Sequence, residues 1–296
     1  MRTRYWILGV MLFLAAACGR SQSREHKAGQ VAYINDTLLE KIWVSEPVLK
    51  VPESVLYDGA RNVIYVSNIE GKPAEHDGRG FIARLGPDGK VLQREWVSGL
   101  DAPKGLGLHA GRLYVSDINA LVVIDVAAAR VVARYEAPEA VFLNDVAVAS
   151  DGTVYVSDMG ASAVYRLQGD RFERWLHDAR LNGPNGLFVE NGALLAGLKD
   201  RIVRIDTARR TITDLVLHTG SIDGLEGDGR GGYLISDWRG HVYRVTPQGE
   251  KVLLLDTTPI HMQAADIDYV PSSATLLVPT FNSNRIVAYR VKWGDR

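Results

Sequence analysis

Six short apolar segments of this 296-residue sequence each open with a residue at one equivalent position, and five of the six are polar or charged. In chain order these opening residues are Glu53, Lys104, Asn144, Asn185, Asp223 and Ala265. Turn propensity explains some of them, since Asn-Asp, Asn-Gly and Asp-Gly pairs are common in bends, but it explains neither Glu53 nor Lys104. Two carboxylates and two carboxamides are hard oxygen ligands, which suit Ca²⁺ or another oxygen-preferring divalent cation. A fold that brings these residues together therefore predicts a metal site.

Oxygen atoms of Glu53, Asn144, Asn185 and Asp223 would supply about four of the six to eight ligands that Ca²⁺ prefers. The other positions would be left for water and substrate. A metal with open positions can polarise a carbonyl or phosphoryl oxygen and lower the pKa of bound water. The donor set therefore has the open coordination that a catalytic metal needs.

Lys104 differs from the rest of the set because it is a cation. An inward-pointing ammonium would oppose a divalent ion, since like charges about 4 Å apart cost about 4 kcal/mol at an intermediate effective dielectric. The side chain could instead pair with Glu53 or Asp223 and close the channel without metal. Alternatively, its long stem could carry the charge to the mouth of the site, where it would stabilise an oxyanion or bind a substrate carboxylate.

The segments that carry these residues form an internal repeat. Each copy reads as a strand, a tight turn and a second strand, and successive copies begin about 40 residues apart, a period typical of four-stranded propeller blades. The first interval is longer because it contains the insertion EGKPAEHDGRG at 70–80. The copies are ESVLYDGARNVIYVSN (53–68), KGLGLHAGRLYVSD (104–117), NDVAVASDGTVYVSD (144–158), NGLFVENGALLAGL (185–198), DGLEGDGRGGYLISD (223–237) and ADIDYVPSSATLLVPT (265–280).

A third strand follows each pair, and a more polar fourth segment, such as RFERWLH (171–177), follows in the first five copies. The segment KIWVSEPVLKV (41–51) can supply the fourth strand that the sixth copy lacks. Pro47 is tolerated there because the outermost strand of a blade is an edge. The predicted fold class is therefore all-β, a six-bladed β-propeller over 42–296 that is closed by an N-terminal strand. Inner strands line the channel of a propeller, so their opening residues should gather at one face.

The opening residues also resemble a known group of proteins. Glu in PES (52–54), Asn in LNDV (143–146), Asn in PNGL (184–187) and Asp in DGL (223–225) look like the calcium-dependent lactonase superfamily of gluconolactonase and regucalcin, and more distantly the paraoxonases and diisopropyl fluorophosphatase. The resemblance covers residues 42–293. It implies that Glu53, Asn144, Asn185 and Asp223 surround one metal and that Asp223 is the general base or nucleophile.

Two departures from this resemblance bear on the substrate. Sugar-lactone members have an Arg two residues before the third-blade Asn to help hold the substrate, and this chain has Phe142 there. A less polar ester or lactone is therefore expected, bound by Asn144 and Phe142. The paraoxonases use a His pair near the metal, whereas in this chain His218 and His261 merely precede blades five and six.

Other residues are expected around the same face because they follow or end second strands. Trp238 is predicted to bind substrate, and Phe281, Met159 and Lys199 are either pocket walls or ordinary packing residues. The insertion in blade one is either a lid or a solvated loop. The Asp residues that end second strands (Asp117, Asp158 and Asp237, with Asn68 equivalent) are predicted to cap turns.

The N-terminus differs in character from the rest of the chain. Arg2 and Arg4 precede an apolar run that ends just before Cys18, the only cysteine, and LAAAC followed by Gly resembles a bacterial lipobox. This pattern predicts a lipoprotein signal peptide (1–17), a lipidated Cys18 and a polar tether (18–41), and an ordinary signal peptide with an incidental Cys is the alternative. The lipid would be the only membrane attachment, and Gly after the Cys favours the outer membrane facing the periplasm.

Composition narrows the function classes. A net charge of -1 with dispersed basic residues gives no electrostatic footprint for nucleic acid. Two hypotheses remain. In one, the protein is a calcium-dependent hydrolase of a small-molecule lactone or ester, with Asp223 and Lys104 as catalytic residues. In the other, it is a non-catalytic, membrane-tethered propeller that binds a small ligand or a protein partner.

Overall fold

A computed structural model describes residues 31–294. The predicted signal peptide, the lipidation site at Cys18 and the first part of the tether lie outside the described residues. The strands are β1 (Tyr33–Ile34), β2 (Leu39–Val44), β3 (Pro52–Asp58), β4 (Val63–Asn68), β5 (Gly80–Leu85), β6 (Val91–Leu100), β7 (Pro103–His109), β8 (Arg112–Asp117), β9 (Ala120–Asp125), β10 (Arg130–Glu136), β11 (Leu143–Val148), β12 (Val154–Asp158), β13 (Ala163–Gln168), β14 (Arg171–His177), β15 (Leu187–Glu190), β16 (Ala193–Gly197), β17 (Arg201–Asp206), β18 (Ile212–Leu217), β19 (Leu225–Gly227), β20 (Tyr233–Asp237), β21 (His241–Val245), β22 (Lys251–Asp256), β23 (Asp268–Val270), β24 (Thr275–Pro279) and β25 (Ile286–Val291). Two short 3-10 helices span Thr258–Ile260 and Phe281–Ser283.

These strands form six antiparallel sheets, which are the blades of a β-propeller, as the repeat predicts. From the channel outwards, blades one to four contain β3–β6, β7–β10, β11–β14 and β15–β18. Blade five contains β19–β22 with β1 as an additional outermost strand, and blade six contains β23, β24, β25 and β2. The inner strands of consecutive blades contact one another, and β23 contacts β3, which closes the ring.

The N-terminal strand completes blade six, which confirms the predicted mode of closure. In β2, Leu39 pairs with Val291 and Val44 pairs with Val287. The strand begins two residues before the predicted Lys41 and ends before Pro47, so the proline lies outside it. The sequence pattern gave no sign of β1, which pairs with the outer strand of blade five.

Hydrophobic clusters between adjacent blades form the core. One cluster packs Tyr65 and Ile82 of blade one against Leu113 and Val115 of blade two, and similar clusters lie at the other junctions. Burying one such side chain stabilises the fold by about 1.5 to 3 kcal/mol. The chain has a single cysteine, so interblade packing and ring closure hold the propeller together without an internal disulfide.

The tight turn within each copy has the expected chemistry. Between β11 and β12, Gly152 has a φ of 85°, a conformation that glycine adopts without a steric penalty. The Asp151 carboxylate accepts a hydrogen bond of 2.9 Å from the amide of Thr153, which fixes the turn.

Within residues 31–294, no helix has the length and hydropathy needed to cross a bilayer.

Candidate functional site

The opening residues of the first three inner strands lie in β-bulges. In β11, Asn144 and Asp145 together oppose the single residue Ser157. The register shifts at the same place around Glu53 in β3 and around Lys104 in β7. Bulges re-aim side chains at the ends of sheets. The bulges therefore place Glu53, Lys104 and Asn144 outside the regular alternation of their strands.

In blades four to six the opening residue precedes the inner strand but is held in the same way. Asn185, Asp223 and Ala265 each donate their backbone amide to the second strand of their own blade. The acceptors are the carbonyl oxygens of Gly197, Ser236 and Pro279, at 2.9, 2.8 and 3.0 Å. Backbone features thus fix all six opening positions, bulges in blades one to three and backbone hydrogen bonds in blades four to six.

Glycine follows the opening residue in three blades because the next blade approaches closely there. These glycines are Gly105, Gly186 and Gly224. A Cβ atom on Gly105 would lie 2.4 Å from Cα of Asp145 in blade three. A Cβ atom on Gly224 would lie 2.5 Å from the backbone nitrogen of Ile267 in blade six. Inner strands can therefore approach one another closely only where this side chain is absent.

In two other blades, the residue after the opening position is an aspartate that joins adjacent blades. The buried Asp145 carboxylate accepts a 2.6 Å hydrogen bond from the amide of Leu187 in blade four. Asp266 accepts a 2.6 Å hydrogen bond from the hydroxyl of Ser54 in blade one. Burial raises the pKa of Asp145 to about 6, and the hydrogen bonds from backbone amides oppose that shift. This interblade bond gives Asp145 a structural role beside the site.

The aspartates that end second strands fix the loops that lead into the inner strands. Asp117 accepts the amide of Ala102 at 2.7 Å, two residues before Lys104. Asp158 accepts the amide of Phe142 at 3.0 Å, two residues before Asn144. The predicted capping role is confirmed, and these aspartates also position the site residues.

Sequence reasoning missed the serine that precedes these acidic residues. Ser116 donates its hydroxyl to the carbonyl oxygen of Asn144 in the next blade. Ser236 likewise donates to the carbonyl oxygen of Ala265 at 2.6 Å. The repeated Ser in YVSN, YVSD and LISD is the sequence signal that could have identified this contact.

The predicted site residues line one cavity of about 300 Å³ at the face where the inner strands begin. The cavity brings together residues of all six blades and of the loops between them. The lining residues are Glu53, Ile69, Pro73, Lys104, Phe142, Asn144, Met159, Asn185, Ser221, Ile222, Asp223, Trp238 and Phe281. Pro73 comes from the insertion in blade one. Lys199, His218 and His261 are not part of this lining, so of the two roles left open for Lys199 that of a pocket wall is wrong.

Asn185 and Asp223 are linked directly across blades four and five. Asn185 Nδ2 donates to Asp223 Oδ1 at 2.5 Å. The amide oxygen of Asn185 (Oδ1) and the second carboxylate oxygen of Asp223 (Oδ2) are buried without a hydrogen-bond partner among the described residues, as is Glu53 Oε2. Buried polar atoms are normally paired, so three orphan oxygens in one cavity require an explanation.

The electrostatics of the cavity favour an added cation. Burial, followed by the charge of Asp223, raises the pKa of Glu53 well above its ordinary value, and Lys104 opposes this shift. Burial raises the pKa of Asp223 to about 7, while the hydrogen bond from Asn185 opposes the increase. Burial penalises both carboxylates in their charged form, and a cation between them would offset that penalty.

Lys104 occupies neither of the positions suggested by the sequence. Its side chain is 1% exposed, so the ammonium does not reach the mouth of the cavity. Nζ donates to the carbonyl oxygen of Ala102 at 2.9 Å and lies 4.4 Å from the centre of the Phe142 ring. Burial lowers the pKa of Lys104 to about 8, and Glu53 and Asp117 counteract this effect. A carbonyl oxygen and an aromatic face thus hold the ammonium in place of a direct carboxylate pair.

Part of the cavity lining is aromatic. Trp238 and Phe281 form an edge-to-face pair with ring centroids 5.5 Å apart, and Met159 and Phe142 extend the apolar surface. Trp238 is 47% exposed, so its ring borders both the cavity and solvent. The cavity therefore combines a polar floor with an apolar wall.

The residues present fit a divalent cation of the calcium type. Three orphan oxygens and the side chain of Asn144 offer hard donors with open positions. Between residues 31 and 294, no three His, Cys, Asp or Glu side chains are arranged to hold a metal. A site in this cavity would therefore depend on the amide oxygens of Asn144 and Asn185 as much as on the two carboxylates.

Comparison with solved structures defines the class of protein as a six-bladed β-propeller. A gluconolactonase from Xanthomonas campestris is 18% identical, covers 88% of this chain and 91% of its own length, and has a TM-score of 0.64. A catalytically inactive virginiamycin B lyase from Staphylococcus aureus with quinupristin is 15% identical, covers 86% of this chain and 99% of its own, and has a TM-score of 0.60. The WD40 propeller domain of Doa1 is 13% identical, covers 80% of this chain and 77% of its own length, and has a TM-score of 0.59.

A scan against models of protein families finds no match, and a search of curated proteins finds none. The names of two of these neighbours state activities, a lyase and a gluconolactonase, and at these identities all three show the fold alone. Structural similarity to a gluconolactonase agrees with the resemblance seen in the sequence. The likeness to regucalcin and the paraoxonases stays a prediction.

Proposed function

We propose that this protein is a metal-dependent hydrolase of lactones or esters. Glu53, Asn144, Asn185 and Asp223 hold a calcium ion at the floor of the cavity. The observation that carries the proposal is the group of three buried, unpartnered oxygens on Glu53, Asn185 and Asp223. The structural similarity to a gluconolactonase supports it as well.

The bound ion would supply Lewis-acid chemistry to the carbonyl of the substrate. Asp223 has one oxygen free of protein hydrogen bonds among the described residues, so it can take the proton of an attacking water or attack directly. The hydrogen bond from Asn185 fixes the orientation of that carboxylate. Lys104 has N–H groups beyond the one bonded to Ala102, and these can stabilise negative charge that develops on the substrate oxygen.

The wall of the cavity favours a substrate of low polarity. Phe142, Met159, Trp238 and Phe281 supply an apolar part of the cavity lining. In place of the arginine of the sugar-lactone enzymes, Phe142 covers the ammonium of Lys104. Apolar groups flanking the lactone or ester would bury against these rings, which gains free energy in proportion to the area covered.

Metal content and a melting curve test this proposal. The purified protein should contain a divalent ion, and its melting temperature should rise in calcium and fall in chelator. Glu53→Gln should abolish the calcium-dependent shift, because it removes a charge from the donor set. Glu40→Gln, an exposed residue of β2, is the matched control and should keep the shift. Absence of a metal and of any calcium response in the wild type would exclude a metal-dependent mechanism.

A panel of aryl esters and lactones then tests the chemistry in the calcium-loaded protein. Turnover that is lost with Asp223→Asn and retained with Glu40→Gln supports hydrolysis at this site. Calcium binding without turnover of any member of the panel would favour the alternative, a propeller that binds a ligand without converting it.

We also propose that the chain is a lipoprotein, anchored through Cys18 to the periplasmic face of the outer membrane. The lipobox-like LAAAC sequence supports this assignment. Mass spectrometry of the N-terminal peptide from bacterial membranes tests it, since acylation adds the mass of the lipid to Cys18. An unmodified thiol at this position would contradict it.

A further inference from the structure

The chain enters the propeller at the face that carries the cavity. Tyr33 pairs with Asp256, Asp256 with His241, and His241 with Asp237, so these residues form one row across blade five. Trp238, which borders the cavity, directly follows Asp237. Three strand spacings separate the ends of this row, a distance of about 15 Å. The N-terminal segment thus leaves the propeller beside the mouth of the cavity.

The same face carries exposed apolar side chains. Val141 is 62% exposed, Met159 39%, Trp238 47% and Ile260 41%. Val141 precedes the cavity residue Phe142, and Ile260 ends the 3-10 helix that follows Asp256. Exposed apolar groups collected on one face mark an interaction surface. We call the surface that these four residues form around the cavity mouth the rim.

Exposed cations accompany the rim. Arg239 follows Trp238 in the turn after β20, and Lys199 lies in the corresponding turn of blade four. The nearby Asp200 is paired with Arg201 at 3.0 Å. Tryptophan with neighbouring Arg and Lys is the composition found where proteins meet the headgroup region of a bilayer.

The length of the tether is suited to such a contact. Fifteen residues lead from Cys18 to Tyr33. A chain of that length spans at most about 50 Å. A lipid on Cys18 would therefore keep the face next to its exit point close to the membrane.

We infer that the rim, made of Val141, Met159, Trp238 and Ile260, docks on the phospholipid bilayer that holds the Cys18 lipid, so that the cavity opens towards the membrane. The inference rests on the proposed lipid anchor and adds an orientation to it. A membrane-facing cavity takes substrates that partition into the bilayer, which agrees with its apolar wall.

Two matched labelling sites test the orientation. Ile260→Cys lies on the rim, whereas Leu92→Cys, 54% exposed in the wild type, lies near the end of β6 that pairs with Leu85, away from the cavity. Each full-length variant, purified from bacterial membranes, is labelled with an environment-sensitive fluorophore and placed in vesicles of phosphatidylethanolamine and phosphatidylglycerol. Cys18 does not react because its thiol carries the lipid.

The label at position 260 should shift its emission to the blue and be quenched by lipid-borne nitroxide, and the label at position 92 should do neither. Equal behaviour at the two sites would overturn the inference. A blue shift at position 260 that occurs only when envelope proteins are present would also overturn the inference, because that result identifies a protein partner. Failure of the chain to bind vesicles overturns both anchor and orientation, whereas the hydrolase proposal is measured separately in detergent.

Native Trp238 gives a second readout that needs no introduced thiol. Brominated lipids should quench wild-type fluorescence more than that of Trp238→Phe, since Trp96 and Trp175 are buried in the propeller. Identical quenching of the two proteins would contradict the membrane contact.

Discussion

Asn185 donates a 2.5 Å hydrogen bond to Asp223 across the junction of blades four and five, and the amide oxygen of Asn185 and the second carboxylate oxygen of Asp223 are buried and unpaired among the described residues. The bond fixes both free oxygens relative to each other before any ligand binds. Such preorganisation is what a metal site or a general base requires. The closed ring supplies it, because the two residues open the inner strands of neighbouring blades.

Shortening the Asn185 side chain should weaken calcium binding. Asn185→Ala removes one orphan oxygen and the bond that orients Asp223, so we expect calcium affinity to fall at least about tenfold. Calorimetric titration measures the change. Asn182→Ala, an exposed residue in the same loop, is the control and should bind like the wild type. Unchanged affinity in Asn185→Ala would place the metal elsewhere.

Removal of the buried cation should separate binding from chemistry. Lys104→Met deletes a positive charge close enough to Glu53 to affect its pKa. We therefore expect tighter calcium binding, together with a hydrolytic rate lower by about 10² to 10³, the usual cost of losing an oxyanion donor. Titration and steady-state kinetics of the same sample test both effects. Lys199→Met, outside the cavity lining, should change neither, and an unchanged rate in Lys104→Met would remove Lys104 from the mechanism.

The close approach of inner strands should make Gly105 intolerant of a side chain. A Cβ atom there would lie 2.4 Å from Cα of Asp145, and relief of that clash requires the backbones to separate. Gly105→Ala should lower the free energy of unfolding by about 1 to 3 kcal/mol. Gly59→Ala is matched, since its nearest neighbour would be a side-chain atom at 3.6 Å. Urea denaturation compares the two variants, and equal stabilities would show that the strands can separate at this point without cost.

The half-buried Asp268 should make stability fall as the pH rises. Burial raises its pKa to about 6, although the amides of Tyr57 and Tyr269 stabilise the carboxylate. Because the unfolded pKa is about 3.9, the folded state binds more protons between these values, so the wild type loses on the order of 1 to 2 kcal/mol as pH rises through 6. Glu226 faces Asp268, and its pKa is raised as well, mainly by burial.

Asp268→Asn removes the ionisable group and keeps an oxygen for the amide of Tyr57. The variant should match the wild type near pH 4 and exceed it in stability near pH 8, measured by urea unfolding at both values. The exposed Asp36→Asn should show no such divergence. A variant less stable than the wild type at the higher pH would show that the charged form is stabilised.

Much of the fold could be predicted because each blade repeats the same local information. Strand alternation, a Gly-containing turn and a period near 40 residues specify a blade, and six blades specify a ring. Ring geometry then places every opening residue at one face, which is why Glu53, Asn144, Asn185 and Asp223 could be grouped in advance. The outer strand β1 could not be predicted, because two paired residues within a polar segment carry no periodic signal.

The sequence by itself determined the repeat, the mode of closure and the identity of the polar residues around the axis, because local propensity and spacing are sufficient for these. Tertiary structure decided where Lys104 directs its ammonium, that Asp145 joins two blades, and that three oxygens stay unpaired within residues 31–294. These features depend on contacts between residues from different blades, as between Asn185 and Asp223. A side chain on a bulged strand takes its direction from the neighbouring blade, and no pattern within one blade records that neighbour.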